Sequence, residues 1–254
     1  MFDVIEPLLN QASQYLIDQF KKQSFEIQTK NQNDWVTEAD LYVDQMLTTS
    51  LEKAFPDIQV ISEEKTSSHN YNQEDTFWII DPIDGTLNFA HGFPIFGITI
   101  ALVKQGKPVL GWIELPMFGQ RFFAEIGKKS TCNQATISVS NIIDTKASLV
   151  EIGQPHTYSQ GLPELVTLVS QYHQSFRRSG SAVFNFAQVA CGAVDIFCAS
   201  KLNIWDIAAG VLLVEMAGGK VFHRNGQPFS DLTNGNLIAC NGKVSIEHLF
   251  KEAS

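Results

Sequence analysis

The run Trp78-Ile79-Ile80-Asp81-Pro82-Ile83-Asp84-Gly85-Thr86 constrains this chain more than any other. An apolar strand runs straight into two acids separated by a proline and followed by a glycine. At an effective dielectric of about 20, two unit charges about 4 Å apart repel by roughly 4 kcal/mol, so paired carboxylates at the end of a buried strand call for a cation. A hard divalent ion with oxygen ligands fits best. Pro82 disfavours helical geometry at Asp81 and keeps the strand extended to its end. Pro82 also has no N–H, so a turn is expected there, freeing the Ile83 carbonyl as a neutral oxygen donor. Gly85 has no Cβ, so a phosphate can approach its N–H. Thr86 adds a hydroxyl and opens a helical turn whose N–H groups favour anions. The bland alternative is an Asp-Pro…Asp-Gly turn with solvated acids. A calcium loop of the helix–loop–helix kind is excluded, because position 12 counted from Asp81 is Gly92, not a glutamate.

Three further segments put acids beside predicted elements. Val60-Ile61-Ser62-Glu63-Glu64 again ends an apolar strand in carboxylates, or is a charged loop. Ile204-Trp205-Asp206 precedes an apolar helix, where Asp206 reads as an N-cap. Asp34-Trp35-Val36-Thr37-Glu38-Ala39-Asp40 has Thr37 and Asp40 at capping-box spacing.

The pattern around these segments is mixed. Ile5, Leu8, Leu9, Ala12, Leu16 and Phe20 predict an amphipathic helix over 4–22, and a second helix follows Thr37 with Val43, Met46, Leu47, Leu51 and Ala54 inward. Strands are expected at about 58–61 and 77–80. A meander follows over 97–103, 109–113 and 121–124, with turns at Gln105-Gly106 and 116–119. In the second half, strands near 148–151, 175–178, 194–198, 220–222 and 237–240 alternate with helices near 161–172, 181–191, 206–217 and 244–251. An α/β (α+β) fold with αβαβα layering is expected, a single catalytic domain over 1–254 whose two subdomains meet near 140–147 with the active site between them.

The 254 residues are 44% hydrophobic with a net charge of −9, which supports a large core and argues against a nucleic-acid partner. An acidic chain handles an anionic substrate if a bound cation reverses the local sign. Cys132, Cys191, Cys198 and Cys240 lack C-x-x-C spacing and fit reduced thiols in a cytoplasmic protein. The N-terminus lacks a basic, apolar leader pattern, and no apolar run reaches the roughly 18 residues a membrane span needs.

The four acidic segments together resemble the inositol monophosphatase family of metal-dependent, lithium-sensitive phosphatases. The matching stretches are 34–40, 61–64, 78–88, 178–182 and 205–219, spread over most of the chain in family order. The resemblance implies a five-layer αβαβα sandwich. It implies that Glu63, Asp81 and the Ile83 carbonyl hold one Mg²⁺, that Asp81, Asp84 and Asp206 hold a second, and that a third uses Glu63. Gly85 and Thr86 become phosphate contacts, and Thr86 with Asp40 the pair that orients and deprotonates water, with Glu63 sharing that work. Lys30 corresponds to an upstream basic position, one residue out of the family's local spacing. Absence of His and Cys from this set points to Mg²⁺ or Mn²⁺ rather than Zn²⁺. A homodimer is a family expectation.

Substrate contacts follow the same resemblance. Gly180, Ser181 and Ala182 correspond to a region that meets substrate hydroxyls, alongside Asp206, although they also fit a plain helix start. The departure is Ala199. Seven residues before the Trp-Asp aspartate, inositol phosphatases typically carry a glutamate that binds ring hydroxyls. Over 115–123 the chain is similar to branches that hydrolyse histidinol phosphate, and Lys201 or Arg178 offers charge to a bisphosphate, or is solvated. The expected activity is hydrolysis of a small alcohol or sugar phosphate by metal-activated water. The alternatives are histidinol-phosphate or sugar-bisphosphate hydrolysis, and, from another class, a regulatory protein that binds transcription machinery. Other phosphatase designs fail on the letters. No cysteine has Arg six residues later, no aspartates are spaced i, i+2, and neither G-x-x-x-x-G-K-[ST] nor G-x-S-x-G occurs.

Overall fold

The computed structural model describes residues 1–22, 27–31, 34–68, 75–153 and 162–250, with side chains outside 27–36 and 66–68. Helix α1 (Phe2–Lys22) buries Ile5, Leu9, Ala12, Leu16 and Phe20, one stripe at helical spacing. Pro7 inside it costs roughly 3 kcal/mol. Burial of each larger apolar side chain returns about 1.5–3 kcal/mol, so packing decides that the helix forms. A backbone hairpin of β1 (Ile27–Asn31) and β2 (Asp34–Thr37) leads into α2 (Glu38–Ala54), whose Val43, Leu47 and Leu51 are buried.

The first large sheet has seven strands in chain order: β3 (Gln59–Ser62), β4 (Thr76–Asp84), β5 (Gly97–Lys104), β6 (Lys107–Leu115), β7 (Gln120–Glu125), β8 (Thr131–Cys132) and β9 (Ala135–Thr136). Only β3 and β4 run parallel; the remaining neighbours are antiparallel. The period of two sorts the side chains. Trp78, Ile80, Ile98, Ile100 and Trp112 face α1 and α2. Phe77, Ile79, Ala101, Val103 and Ile113 face the other way, onto α5 (Ala182–Ala190) and α6 (Ile204–Met216). The short helix α3 (Thr86–Ala90) follows β4, and α4 (Leu162–Tyr172) lies at the far side of the molecule.

The second sheet is mixed, in the order β11 (Ser175–Arg177), β10 (Leu149–Gly153), β12 (Ile196–Leu202), β14 (Gly235–Cys240), β13 (Lys220–His223). Its Phe197, Ala199, Leu237 and Ala239 join the α5–α6 core. Val150, Ile152, Ile196, Cys198 and Ile238 pack on the opposite face with Leu165 and Val169 of α4. The result is the expected αβαβα sandwich. Its middle layer is tight, because a Cβ added at Gly210 of α6 would lie 2.3 Å from the Phe186 ring of α5.

Three expectations need correction. The chain does not turn at Pro82; β4 runs through to Asp84 and bulges there, since Asp81 pairs with Thr99 but Asp84 with Gly97. Asp206 is not the N-cap of its helix; Asn203 is, and Asp206 lies in the first turn. Finally, no α-helix forms over the described part of 244–251. The Asn241 side chain accepts the Lys243 and Val244 N–H groups, holding a turn, and only a 3-10 turn at Glu247–Leu249 follows, pinned by buried Ile246 and Leu249. Residue 251, like 161 at the expected start of α4, is outside the described residues. Among the described residues, no helix is long and apolar enough to cross a membrane.

Candidate active site

Asp81 and Asp84 are three residues apart, so an unbroken strand would send them to opposite faces. The bulge sets three steps on β4 against two on β5, which restores a common face. Pro82 suits that position because a bulged residue need not donate to the ladder. Asp206 arrives from the first turn of α6, its Oδ2 held by the Asn203 N–H at 2.7 Å. The Thr99 hydroxyl, on the strand opposite Asp81, donates to the Trp205 carbonyl at 3.1 Å and ties α6 to β5. One carboxylate oxygen from each of Asp81, Asp84 and Asp206 then lies within 4.8 Å of the others.

Glu63 joins them from the end of β3, with its side chain hydrogen-bonded to Asp81. Burial first, then the charges of Glu63, Asp84 and Asp206, push the Asp81 carboxyl well above its ordinary range. Burial and the Asp84 charge push Asp206 up to about 8. Neutral acids at pH 7 are what crowded carboxylates become without a counter-charge.

Asp84 is also the anchor of α5. The Val183 N–H donates to its Oδ2 at 3.0 Å, and the Ser181 hydroxyl donates to the same oxygen. Ser181 is the N-cap of α5 and accepts the Phe184 N–H at 3.2 Å. Ser181 and Ala182 therefore form both a helix start and one wall of the acid cluster, and Gly180 precedes them at φ +84°. Gly85 sits at φ +92°, and a Cβ there would be 3.0 Å from the Ile95 carbonyl and 3.3 Å from the Ser181 Cβ, so a side chain is excluded twice.

Asp40 and Thr86 meet across 46 residues. The Thr86 Oγ lies 2.9 Å from Asp40 Oδ1 and 2.9 Å from the Ile83 carbonyl. A hydroxyl has one proton. When it goes to Asp40, the Ile83 carbonyl keeps its lone pairs for another partner. Asp40 Oδ2 accepts the Thr37 N–H at 2.8 Å and the Thr37 hydroxyl, completing the capping box. Burial raises the Asp40 carboxyl, opposed by these bonds from Thr37 and Thr86.

The other expected residues stand apart from this cluster or outside it. Ala199 is buried in the middle core opposite Gly153 and Leu237. Lys201 and Arg178 are exposed. The Lys30 side chain is outside the described residues. Sequence reasoning missed Asn88, whose side-chain amide donates to the Ile95 and Ser179 carbonyls at 2.7 and 2.8 Å and joins α3 to the segment before α5. Its signal was its place within the stretch 78–88.

Comparison with known proteins places this geometry among relatives. A family profile described as the inositol monophosphatase family matches residues 1–254. A fructose-1,6-bisphosphatase/inositol-1-monophosphatase of Thermotoga maritima is 36% identical over 215 residues, covering 84% of this chain and 80% of that protein. The Nus factor SuhB of Xylella fastidiosa is 30% identical over 238 residues, covering 91% and 86%. The crystal structure of the extragenic suppressor protein suhB from Bartonella henselae superposes with a TM-score of 0.88 at 30% identity, over 100% of this chain and 99% of that one.

Proposed function

The chain belongs to the inositol monophosphatase family and is a phosphatase of that kind; from that premise we propose that it is a Mg²⁺-dependent phosphomonoesterase acting on a small alcohol or sugar phosphate. The observation that carries the proposal is the convergence of Asp81, Asp84 and Asp206 oxygens within 4.8 Å, with Glu63 bonded to Asp81. These are hard oxygen donors without nitrogen or sulfur, a set that fits Mg²⁺ or Mn²⁺. Asp81, Glu63 and the Ile83 carbonyl would hold one ion, Asp81, Asp84 and Asp206 a second, and Glu63 would serve a third. Bound there, Mg²⁺ acidifies water and neutralises charge on the phosphoryl group.

The chain's own groups supply the rest. The backbone N–H groups of Gly85 and Thr86 hold phosphate oxygens, and the missing Cβ at Gly85 lets the ester approach. Thr86 Oγ orients the attacking water and takes its proton while passing its own to Asp40 Oδ1, 2.9 Å away. Glu63 shares that base role. Burial of Asp40 raises its affinity for the proton it receives. Attack is in line, with no covalent enzyme intermediate. Gly180, Ser181, Ala182 and Asp206 meet the alcohol portion. The enzyme works as a cytoplasmic homodimer and is inhibited by lithium.

Two alternatives have specific support. Similarity to the Thermotoga maritima protein supports a sugar bisphosphate as substrate, with Arg178 or Lys201 meeting the second phosphate. Similarity to SuhB supports a second role in binding transcription machinery. A phosphate-release panel with Mg²⁺ over inositol 1-phosphate, histidinol phosphate, glycerol phosphate, fructose 1,6-bisphosphate and nucleotide phosphates tests the proposal. Mg²⁺-dependent release from at least one monoester of a small alcohol or sugar is expected. Release from none, with chelator making no difference, would contradict it.

A further inference from the structure

Glu151 lies on β10 and is 3% exposed, although it belongs neither to the acid cluster nor, among the described residues, to a salt bridge. On β10 the alternation sends Val150 and Ile152 toward α4 and Glu151 toward the middle layer. There its Oε2 accepts the Ser179 N–H at 3.3 Å. Ser179 is held at its other polar atoms too. Its carbonyl accepts the Asn88 amide at 2.8 Å, and its hydroxyl bonds Asn185 Oδ1 on α5 at 2.5 Å. Two residues later, Ser181 donates to Asp84 and lies against Gly85.

Burying a carboxylate for one backbone N–H is unfavourable as a device for stability alone, since the lost hydration exceeds the worth of a single hydrogen bond. The location supplies another reason. Ser179–Ser181 is the segment that joins β11 to α5 and lies against the proposed phosphate loop, Gly85–Thr86, and it has to pass Gly180 at φ +84°. A fixed acceptor at Ser179 sets where that bend falls.

We propose that Glu151 is a positioning residue, whose buried carboxylate fixes the Ser179–Gly180–Ser181 segment so that Ser181 meets Asp84 and the phosphate loop in register. The role rests on the phosphatase reading of the site. Burial raises the Glu151 carboxyl to about 7, against the lowering effects of the Ser179 N–H and of Arg177. Arg177, on neighbouring β11, is the charged group acting on it among the described residues; β12 faces it with Phe197 and α5 with Asn185, both uncharged. The ionised form makes the stronger, charge-assisted bond. The segment is therefore firm above pH 7 and looser below it.

The test compares wild type, Glu151→Ala and Glu151→Gln by amide hydrogen exchange and by the pH profile of KM for the best monoester. In Glu151→Ala, the amides of 179–181 lose protection, and KM rises about five- to tenfold, the worth of one hydrogen bond, with a smaller change in kcat. Glu151→Gln keeps an acceptor for Ser179. It restores most of the protection and removes the rise in wild-type KM that accompanies a fall in pH through about 7. Unchanged exchange at 179–181 in Glu151→Ala, or the same inflection in Glu151→Gln, overturns the proposal. If Glu151→Ala does not fold, the exchange and pH profile of the isosteric Glu151→Gln decide alone. If wild type hydrolyses no phosphate ester, the functional reading fails, while the exchange data still judge the Glu151 contact.

Discussion

At the scale of single residues, crowding makes the acids of the cluster hold their protons until a cation takes the protons' place. Asp84→Asn removes one charge yet keeps an oxygen to accept the Val183 N–H, so the start of α5 survives. Turnover should fall by at least about a hundredfold, while the thermal midpoint in chelator stays equal or rises, because one fewer acid is crowded against Asp81 and Asp206. Assay and melting curves side by side check this, and a variant keeping most of its activity would contradict the ligand role. Ala199 makes the opposite kind of prediction. It is fully buried in the middle core, so Ala199→Glu buries a carboxylate without a partner and lowers the thermal midpoint by several degrees; an unchanged midpoint counts against that placement. Residue-level chemistry was legible where an acid ends an apolar run, as at Glu63, Asp81 and Asp206, since such positions need a cause. Glu151, Asn88 and Asn203 were not legible. Their importance lies in partners 28, 91 and 3 residues away that only the fold or local cap geometry selects.

Elements show where local propensity lost to tertiary pairing. Proline and two acids at the end of β4 predict a turn, but hydrogen bonding to β5 on either side of the bulge keeps the strand going. That same bulge is what brings Asp81 and Asp84 to one face. The last described segment failed for the reverse reason: Ile246, Leu249 and Phe250 have helical spacing, but they pack against α4 and the second sheet from a turn. That contact carries its own pH dependence. His173, just after α4, places Nδ1 2.6 Å from the Ser148 hydroxyl and Nε2 2.7 Å from His248 Nε2. Two facing ring nitrogens share one proton, and burial together with His248 lowers His173 to about 4 from the usual 6.5. A histidine kept neutral in the fold binds its proton more readily when unfolded, so stability is full above pH 6.5 and declines as pH falls toward 4. Denaturant titrations across that range should show the decline, and His173→Gln should flatten it. Equal slopes in the two proteins would refute this assignment.

For the whole molecule, the five layers follow from strands that are apolar on both faces, and this much was readable from runs such as 77–80 and 98–103. The order of layers depends on which helix covers which face. The sequence pattern offered αβαβα packing, and the structure realises it by inserting α5 and α6 between the sheets. This arrangement brings the ends of β3 and β4 to the starts of α2, α5 and α6, so acids separated by up to 143 positions, from Glu63 to Asp206, share one pocket. Hydrolysis as proposed requires that pocket to gather divalent cations. Anomalous diffraction from crystals soaked in Mn²⁺ is the sharpest test: peaks are expected among Asp81, Asp84 and Asp206 and beside Glu63, and they should vanish when Mg²⁺ is added in excess. Density showing no ion among these four side chains at saturating Mn²⁺ would contradict it.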